Sequence, residues 1–161
     1  MSRSNSVSFI DNQEPMTENT RILLVDDHPI VREGLRTVLQ RRTGWEVVGE
    51  ASNGIEALEQ AERLQPDVMV LDITMPRLNG LEVCRLARKR TPSTEILFVT
   101  QHDSPQMMKE ALNAGAKGYV VKSNAARDLV HAIEAVSQHR TFTAMARPEN
   151  GDSSESAATR P

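Results

Sequence analysis

Three aspartates carry the first sign of chemistry. Asp26 and Asp27 stand together after the apolar run RILLV, and Asp72 follows DVMVL. Two further polar residues hold equivalent positions: Thr100 ends EILFVT, and Lys122 follows GYVV. Carboxylates brought together repel one another unless a cation sits among them. A hard divalent ion resolves that repulsion, and Mg²⁺ typically takes one or two carboxylates, several waters and a phosphate oxygen. A threonine hydroxyl can bond a phosphoryl oxygen, and a lysine ammonium can neutralise phosphate charge. Three acids, a hydroxyl and an ammonium on one edge form a constellation for Mg²⁺-assisted phosphoryl transfer. An aspartate can itself be the nucleophile, forming an aspartyl phosphate. Helix capping would account for one of the three acids, but three caps have no reason to converge. No glycine-rich loop precedes a helix, so neither a P-loop nor a dinucleotide fold is supported.

The elements that must position these residues alternate regularly. Short β-rich runs fall at 21–26 (RILLVD), 45–51 (WEVVGEA), 67–72 (DVMVLD), 95–100 (EILFVT) and 118–121 (GYVV). Most are nearly continuous apolar runs, as parallel strands covered on both faces require. Pro29 opens the first helix, with Ile30, Gly34, Leu35, Val38 and Leu39 on one face. Asn53 with Glu56 predicts a capping box for the second, which Pro66 stops. Asn79 precedes the third; its cations Arg85, Arg88, Lys89 and Arg90 suit a helix C-terminus, and Pro92 closes it. Ser104-Pro105 and Gly115 bracket the fourth, and Asn124 to Gln138 forms the fifth. Five strands alternating with five helices predict an α/β fold, a parallel sheet with right-handed crossovers and helices on both faces. Ligands of such sheets sit outside the carboxyl ends of the strands, where the five polar residues stand.

Composition narrows the class. The 161 residues are about one domain's worth, with 39% apolar and 25% charged residues. Lys and Arg number 19 against 22 Asp and Glu, for a net charge of −3, which is not the basic excess of a nucleic-acid binder. One cysteine excludes a disulfide framework and a cysteine-based zinc site. No apolar run approaches the ~18 residues of a membrane span, and MSRSNSVSFIDNQEP has no signal-peptide core. The expectation is a soluble, cytoplasmic protein with a disordered leader at 1–20, one domain at 21–140 and a polar disordered tail at 141–161.

The texts LLVDDH (23–28), VLDITMPRLNG (70–80), FVTQH (98–102) and GAKGYVVK (115–122), in this order, resemble the receiver domains of two-component response regulators over residues 21–138. The stretches DDHPIVREGL, WEVVGEASNG and AGAKGYVVK are most similar to the NarL/FixJ-type subfamily. The resemblance implies a flavodoxin-like five-stranded parallel sheet of order 2-1-3-4-5. It implies that Asp72 is the phosphoacceptor, that Mg²⁺ is held by Asp27, Asp72 and the Thr74 backbone carbonyl, and that Asp26 assists through a metal-bound water. Thr100 and Lys122 would contact the phosphoryl group. Thr100 and Tyr119 would form the switch, Tyr119 turning inward when Thr100 is drawn to the phosphate. Met75-Pro76 and Asn79-Gly80 match the loop beside the acceptor. Gln101 departs from the pattern, standing where receivers usually have a small residue, and a long amide there bears on phosphorylation and hydrolysis rates. A sensor histidine kinase or phosphotransfer protein is the implied partner, with a second copy on phosphorylation.

The chain is too short for a helix-turn-helix after this domain, so no direct DNA binding is expected. The leading reading is a receiver acting through protein contacts. The alternative is a receiver fragment of a NarL/FixJ-type DNA-binding transcriptional regulator. A haloacid-dehalogenase-like phosphatase is disfavoured, because it wants a second Asp where Thr74 stands, and a cap. His28, His102, His131 and His139 lack the spacing of a zinc set; His28 is expected beside the acidic pocket, and for His102, two positions beyond Thr100, an effect on an attacking water is the lesser of two readings. Cys84 reads as a buried inert thiol and Arg85–Arg90 as a solvated helix end. Met107 and Met108 read as adaptable packing.

Overall fold

The computed structural model describes residues 19–144. The leader expected at 1–20 lies outside the described residues except for its last two positions, and so does the tail expected at 141–161 beyond residue 144. The elements are β1 (Thr20–Val25), α1 (Pro29–Gln40), β2 (Trp45–Ala51), α2 (Gly54–Leu64), β3 (Val68–Leu71), α3 (Gly80–Arg90), β4 (Glu95–Thr100), α4 (Pro105–Asn113), β5 (Gly118–Val121), α5 (Ala125–Ser137) and β6 (Phe142–Ala144). All strand pairs are parallel, in the order β2-β1-β3-β4-β5-β6.

The expected order 2-1-3-4-5 is present, and a sixth strand extends it. Gly118, Tyr119 and Val120 pair with Phe142, Thr143 and Ala144, covering the β5 edge that would otherwise be open. That strand begins one residue inside the stretch expected to be polar disordered tail, 141–161, so the expectation does not hold at 142–144. Its anchor is Phe142, partly buried against the core formed with α1 and α5.

Alternation along the strands divides the core in two. Leu23, Val25, Met69, Leu71, Ile96, Phe98 and Tyr119 face α2, α3 and α4, which add Ala57, Leu58, Val83, Cys84, Ala87 and Ala111. Ile22, Leu24, Val68, Val70, Leu97, Val99 and Val120 face α1 and α5, which add Leu35, Leu39, Leu129, Ile133 and Val136. Strands with both faces covered are apolar along most of their length, and β3, β4 and β5 are buried throughout, with Glu95 and Thr100 at the two ends of β4 as the polar exceptions.

The caps follow the sequence with one difference. At α3 the Asn79 side chain accepts from Glu82 N and the Glu82 carboxylate accepts from Asn79 N, a complete capping box. At α2 Asn53 accepts from Glu56 N at 2.9 Å, but Glu56 Oε1 accepts from Ser52 N at 2.7 Å instead of from the cap residue. The expected box is thus half formed, its acid serving the preceding residue. No helix among the described residues is long and apolar enough to cross a membrane.

Candidate functional site

Strand ends deliver the polar residues to one edge. Asp26 and Asp72 are 2% and 4% exposed, and Thr100 is fully buried. Lys122, directly after β5, reaches back across that edge: its Nζ lies 2.8 Å from Asp26 Oδ2 and 2.9 Å from Asp72 Oδ2. Burial alone would lower the Lys122 pKa, but hydrogen bonds and charges from Asp26 and Asp72 outweigh it and raise it. One ammonium thereby compensates two buried carboxylates. The second oxygen of Asp72 accepts from Ile73 N at 2.7 Å.

Asp27 is different. Its Oδ1 is buried without a hydrogen-bond partner. His28 Nδ1 stands 3.1 Å away, but that nitrogen is engaged with Asp26 Oδ1 at 2.9 Å, which also accepts from His28 N. Asp26, Asp27, His28 and Asp72 each offer one ligand atom within 4.8 Å of the others. An unpartnered buried carboxylate oxygen beside two further aspartates is a donor set that fits a hard cation.

A cavity of about 430 Å³ opens above these groups, lined by Asp27, His28, Asp72, Thr74, Thr100, Gln101 and His102. Gln101 is exposed on its wall. His102 joins the loops on either side: its ring Nε2 lies 2.8 Å from Thr74 Oγ1, and its main-chain N donates to Thr100 Oγ1 at 3.3 Å. The His102 carbonyl accepts from the Tyr119 hydroxyl at 2.6 Å. The Tyr119 ring is fully buried. Its hydroxyl is pushed up to about 12, by burial first and then by the charges of Asp103 and Asp72, and it stays protonated as a donor.

Two local features shape the acceptor loop. Gly80 N donates to Ile73 O at 2.7 Å, folding the start of α3 against the residue after Asp72. Arg77 adopts φ +75°, bridged by Leu78 N donating to Pro76 O at 2.8 Å, a three-residue turn. A side chain in that left-handed region is strained by about 1–2 kcal/mol. Arg77→Gly is therefore expected to gain roughly 1 kcal/mol, after allowing for the greater freedom of an unfolded glycine. Urea unfolding measures it, and a loss of stability would refute the strain.

The remaining expectations sort as follows. Cys84 is buried, its thiol pushed up to about 12 chiefly by burial, which suits an inert core residue. Arg85, Lys89 and Arg90 are exposed as expected of a solvated helix end, while Arg88 is half-buried, donating to Thr94 O at 2.7 Å and pairing with Glu95. His139 lies 2.6 Å from the other Glu95 oxygen and is not among the groups gathered around Asp26, Asp27 and Asp72. Met107 and Met108 pack partly buried against the first core. What residue spacing did not disclose is the Thr74–His102 pair and the bond from Arg32 Nη1 to the Asp26 carbonyl at 2.6 Å. The second has a sequence signal, a cation in the first turn after the paired acids, but its target is main chain.

A five-strand parallel core with three acids, a hydroxyl and a lysine at its carboxyl edge defines the receiver class of α/β proteins. The chain belongs to the response regulator receiver domain family, whose profile matches residues 22–134. It is 40% identical over 124 residues to the nitrate/nitrite response regulator protein NarL of Escherichia coli K12, covering 77% of this chain and 56% of that one. It is 40% identical over 122 residues to the DNA-binding transcriptional activator DevR/DosR of Mycobacterium tuberculosis, covering 76% and 56%. Among solved structures it is similar to a LuxR-family two-component response regulator from Aurantimonas sp. SI85-9A1, with TM-score 0.75 and 42% identity over 78% of this chain and 89% of that one. The signal receiver domain of NarL from Mycobacterium tuberculosis matches with TM-score 0.73 and 35% identity, covering 76% and 99%. The chain spans a little over half the length of these curated relatives.

Proposed function

We propose that this receiver accepts a phosphoryl group on Asp72 from a histidine kinase or phosphotransfer protein in the cytoplasm, and that the modified domain presents a changed surface to a protein partner or to a second copy. The carrying observation is Lys122 Nζ held between Asp26 Oδ2 and Asp72 Oδ2. It neutralises the acids, orients the Asp72 carboxylate and stands ready for phosphoryl oxygens. An Asp72 oxygen attacks phosphorus, a P–O bond forms, and the bond from phosphorus to the donor nitrogen or acyl oxygen breaks with its electron pair leaving on the donor. The product is an acyl phosphate, so the protein is a self-modifying signalling element and not an enzyme acting on a second substrate.

Asp27 and Asp72 with the Thr74 carbonyl would hold Mg²⁺, and Asp26 would assist through water. When bound, the ion would offset negative charge on the phosphoryl oxygens. Thr100 lines the same cavity as Asp72 and would receive one phosphoryl oxygen, and Tyr119, tied to the His102 carbonyl, would pass a shift of Thr100 to β5 and α4. A second reading is favoured by the curated relatives, of which this chain spans just over half: the receiver portion of a NarL-type DNA-binding regulator.

Intact mass after incubation with Mg²⁺ and a small acyl phosphate tests the proposal. Wild type is expected to gain one phosphoryl group and Asp72→Asn none. Unchanged stoichiometry in Asp72→Asn would refute the assignment.

A further inference from the structure

A chain of polar contacts runs from α2 to the peptide group that joins Asp26 and Asp27. Gln60 Nε2 donates to the Glu50 carbonyl at 2.7 Å, steadying β2 there. The Glu50 carboxylate accepts from Arg32 Nε at 3.1 Å and, through its other oxygen, from Arg36 Nη1. Arg32, in the first turn of α1, then gives its Nη1 to the main-chain carbonyl of Asp26 at 2.6 Å. The side chains of Arg32 and Glu50 are 19% and 27% exposed, so the pair is largely shielded from water. Burial alone would raise the Glu50 carboxyl, but hydrogen bonds and charges from Arg36 and Arg32 hold it below its ordinary range.

The sheet explains why that carbonyl needs a partner. The last pair of the β1–β2 ladder is Val25 with Ala51, and Asp26 N still donates to Ala51 O at 3.1 Å. The Asp26 carbonyl lies one step beyond the ladder. It shares a rigid peptide plane with the Asp27 amide, so whatever fixes it also sets the direction in which Asp27 leaves the backbone. Asp27 carries the buried, unpartnered carboxylate oxygen.

We infer that Arg32, anchored by Glu50, is a positioning residue for the Mg²⁺ site: its bond to the Asp26 carbonyl holds Asp27 in the direction that the ion requires. The inference rests on the metal-assisted phosphoacceptor reading above. The task demands a guanidinium, because Nε and Nη1 serve two separate acceptors from one rigid plane. A lysine ammonium is a point charge on a flexible stem and cannot span both. Partners that hold a metal ligand in place typically change affinity by about 10–100-fold when removed.

Calorimetric titration of MgCl₂ into wild type, Arg32→Lys, Glu50→Gln and the double variant tests this, beside urea unfolding of each in metal-free buffer. The Mg²⁺ Kd should rise about tenfold or more in Arg32→Lys, and by a smaller factor in Glu50→Gln. The double variant should be no worse than Arg32→Lys, because both substitutions cut one chain of contacts. A pair that merely fastens α1 to β2 would lower the unfolding midpoint and leave the Kd at the wild-type value. Kd values within twofold of wild type in both single variants would overturn the inference, as would multiplied effects in the double variant. Should Arg32→Lys fail to fold, Glu50→Gln decides, since it keeps the guanidinium and weakens only its anchor. Wild type that binds no Mg²⁺ would defeat the metal reading together with this inference; wild-type binding with unaltered variants would defeat this inference alone.

Discussion

Exchanging Lys122 for methionine is expected to destabilise the domain by about 3–5 kcal/mol at neutral pH, the range for removing one partner of a buried ion pair. Asp26 and Asp72 share this one ammonium, and both are almost wholly buried. Methionine preserves the length of the stem but leaves two acids facing each other. Small domains are stable by only about 5–15 kcal/mol, so much of the total is at stake. Mg²⁺ should raise the melting temperature of Lys122→Met more than that of wild type, since a divalent cation restores the missing charge. The pH dependence has a definite sign. A base whose folded-state pKa is raised contributes stability that is complete below its unfolded value and fades as pH climbs through the folded one. Lys122 is raised, so the gap between wild type and variant should be flat up to about pH 10 and narrow above it. A denaturant series across that range measures the gap; a loss under about 1 kcal/mol would mean that the pair is no better than an exposed one.

Gly80→Ala is expected to cost about 2–3 kcal/mol, at the upper end for overpacking. An added Cβ would stand 2.2 Å from the Asp72 carbonyl oxygen and 2.8 Å from Ile73 Cα. Both are main chain and cannot swing aside. The collision must push α3 outward or shift the Asp72 backbone, so the phosphorylation proposed for Asp72 should slow even where the variant is fully folded. Gly34→Ala provides the contrast, because its Cβ meets nothing within 4 Å. In mid-helix it should gain about 0.5–1 kcal/mol. Urea unfolding of the pair, with initial phosphorylation rates, separates the clash from a general intolerance of alanine. Equal stability of the two variants would refute the account.

Both predictions depend on features that the sequence discloses unequally. The strands were legible because residues covered on both faces must be apolar throughout, and RILLV, DVMVL, EILFV and GYVV have no other simple reading. The polar residues closing those runs fall on one edge by the same argument. Which of them touch was not legible. Lys122 bridges two acids from two different strands, a distance set by the twist and register of the whole sheet. Arg32 seeks a backbone carbonyl, and no side-chain pattern marks such a target. The strand β6 is three residues of mixed polarity whose pairing depends on where α5 sets down the chain. Asn53 and Asn79 show the limit of local rules, since the same three-residue spacing to glutamate gives a half box at α2 and a full one at α3.

The distribution of the site among the strands also bears on how the domain folds. β1 and β3 lie side by side in the middle of the sheet, whereas Lys122 arrives only with β5, two places further out. A partly assembled sheet of β2, β1 and β3 would bring Asp26 and Asp72 together with no ammonium between them. Such a species would carry an electrostatic penalty that the complete sheet removes, which works against its accumulation. The last strand of the five-strand core would thus act as a latch, and the charge arrangement proposed to serve phosphoryl transfer would also favour cooperative, two-state assembly over populated intermediates.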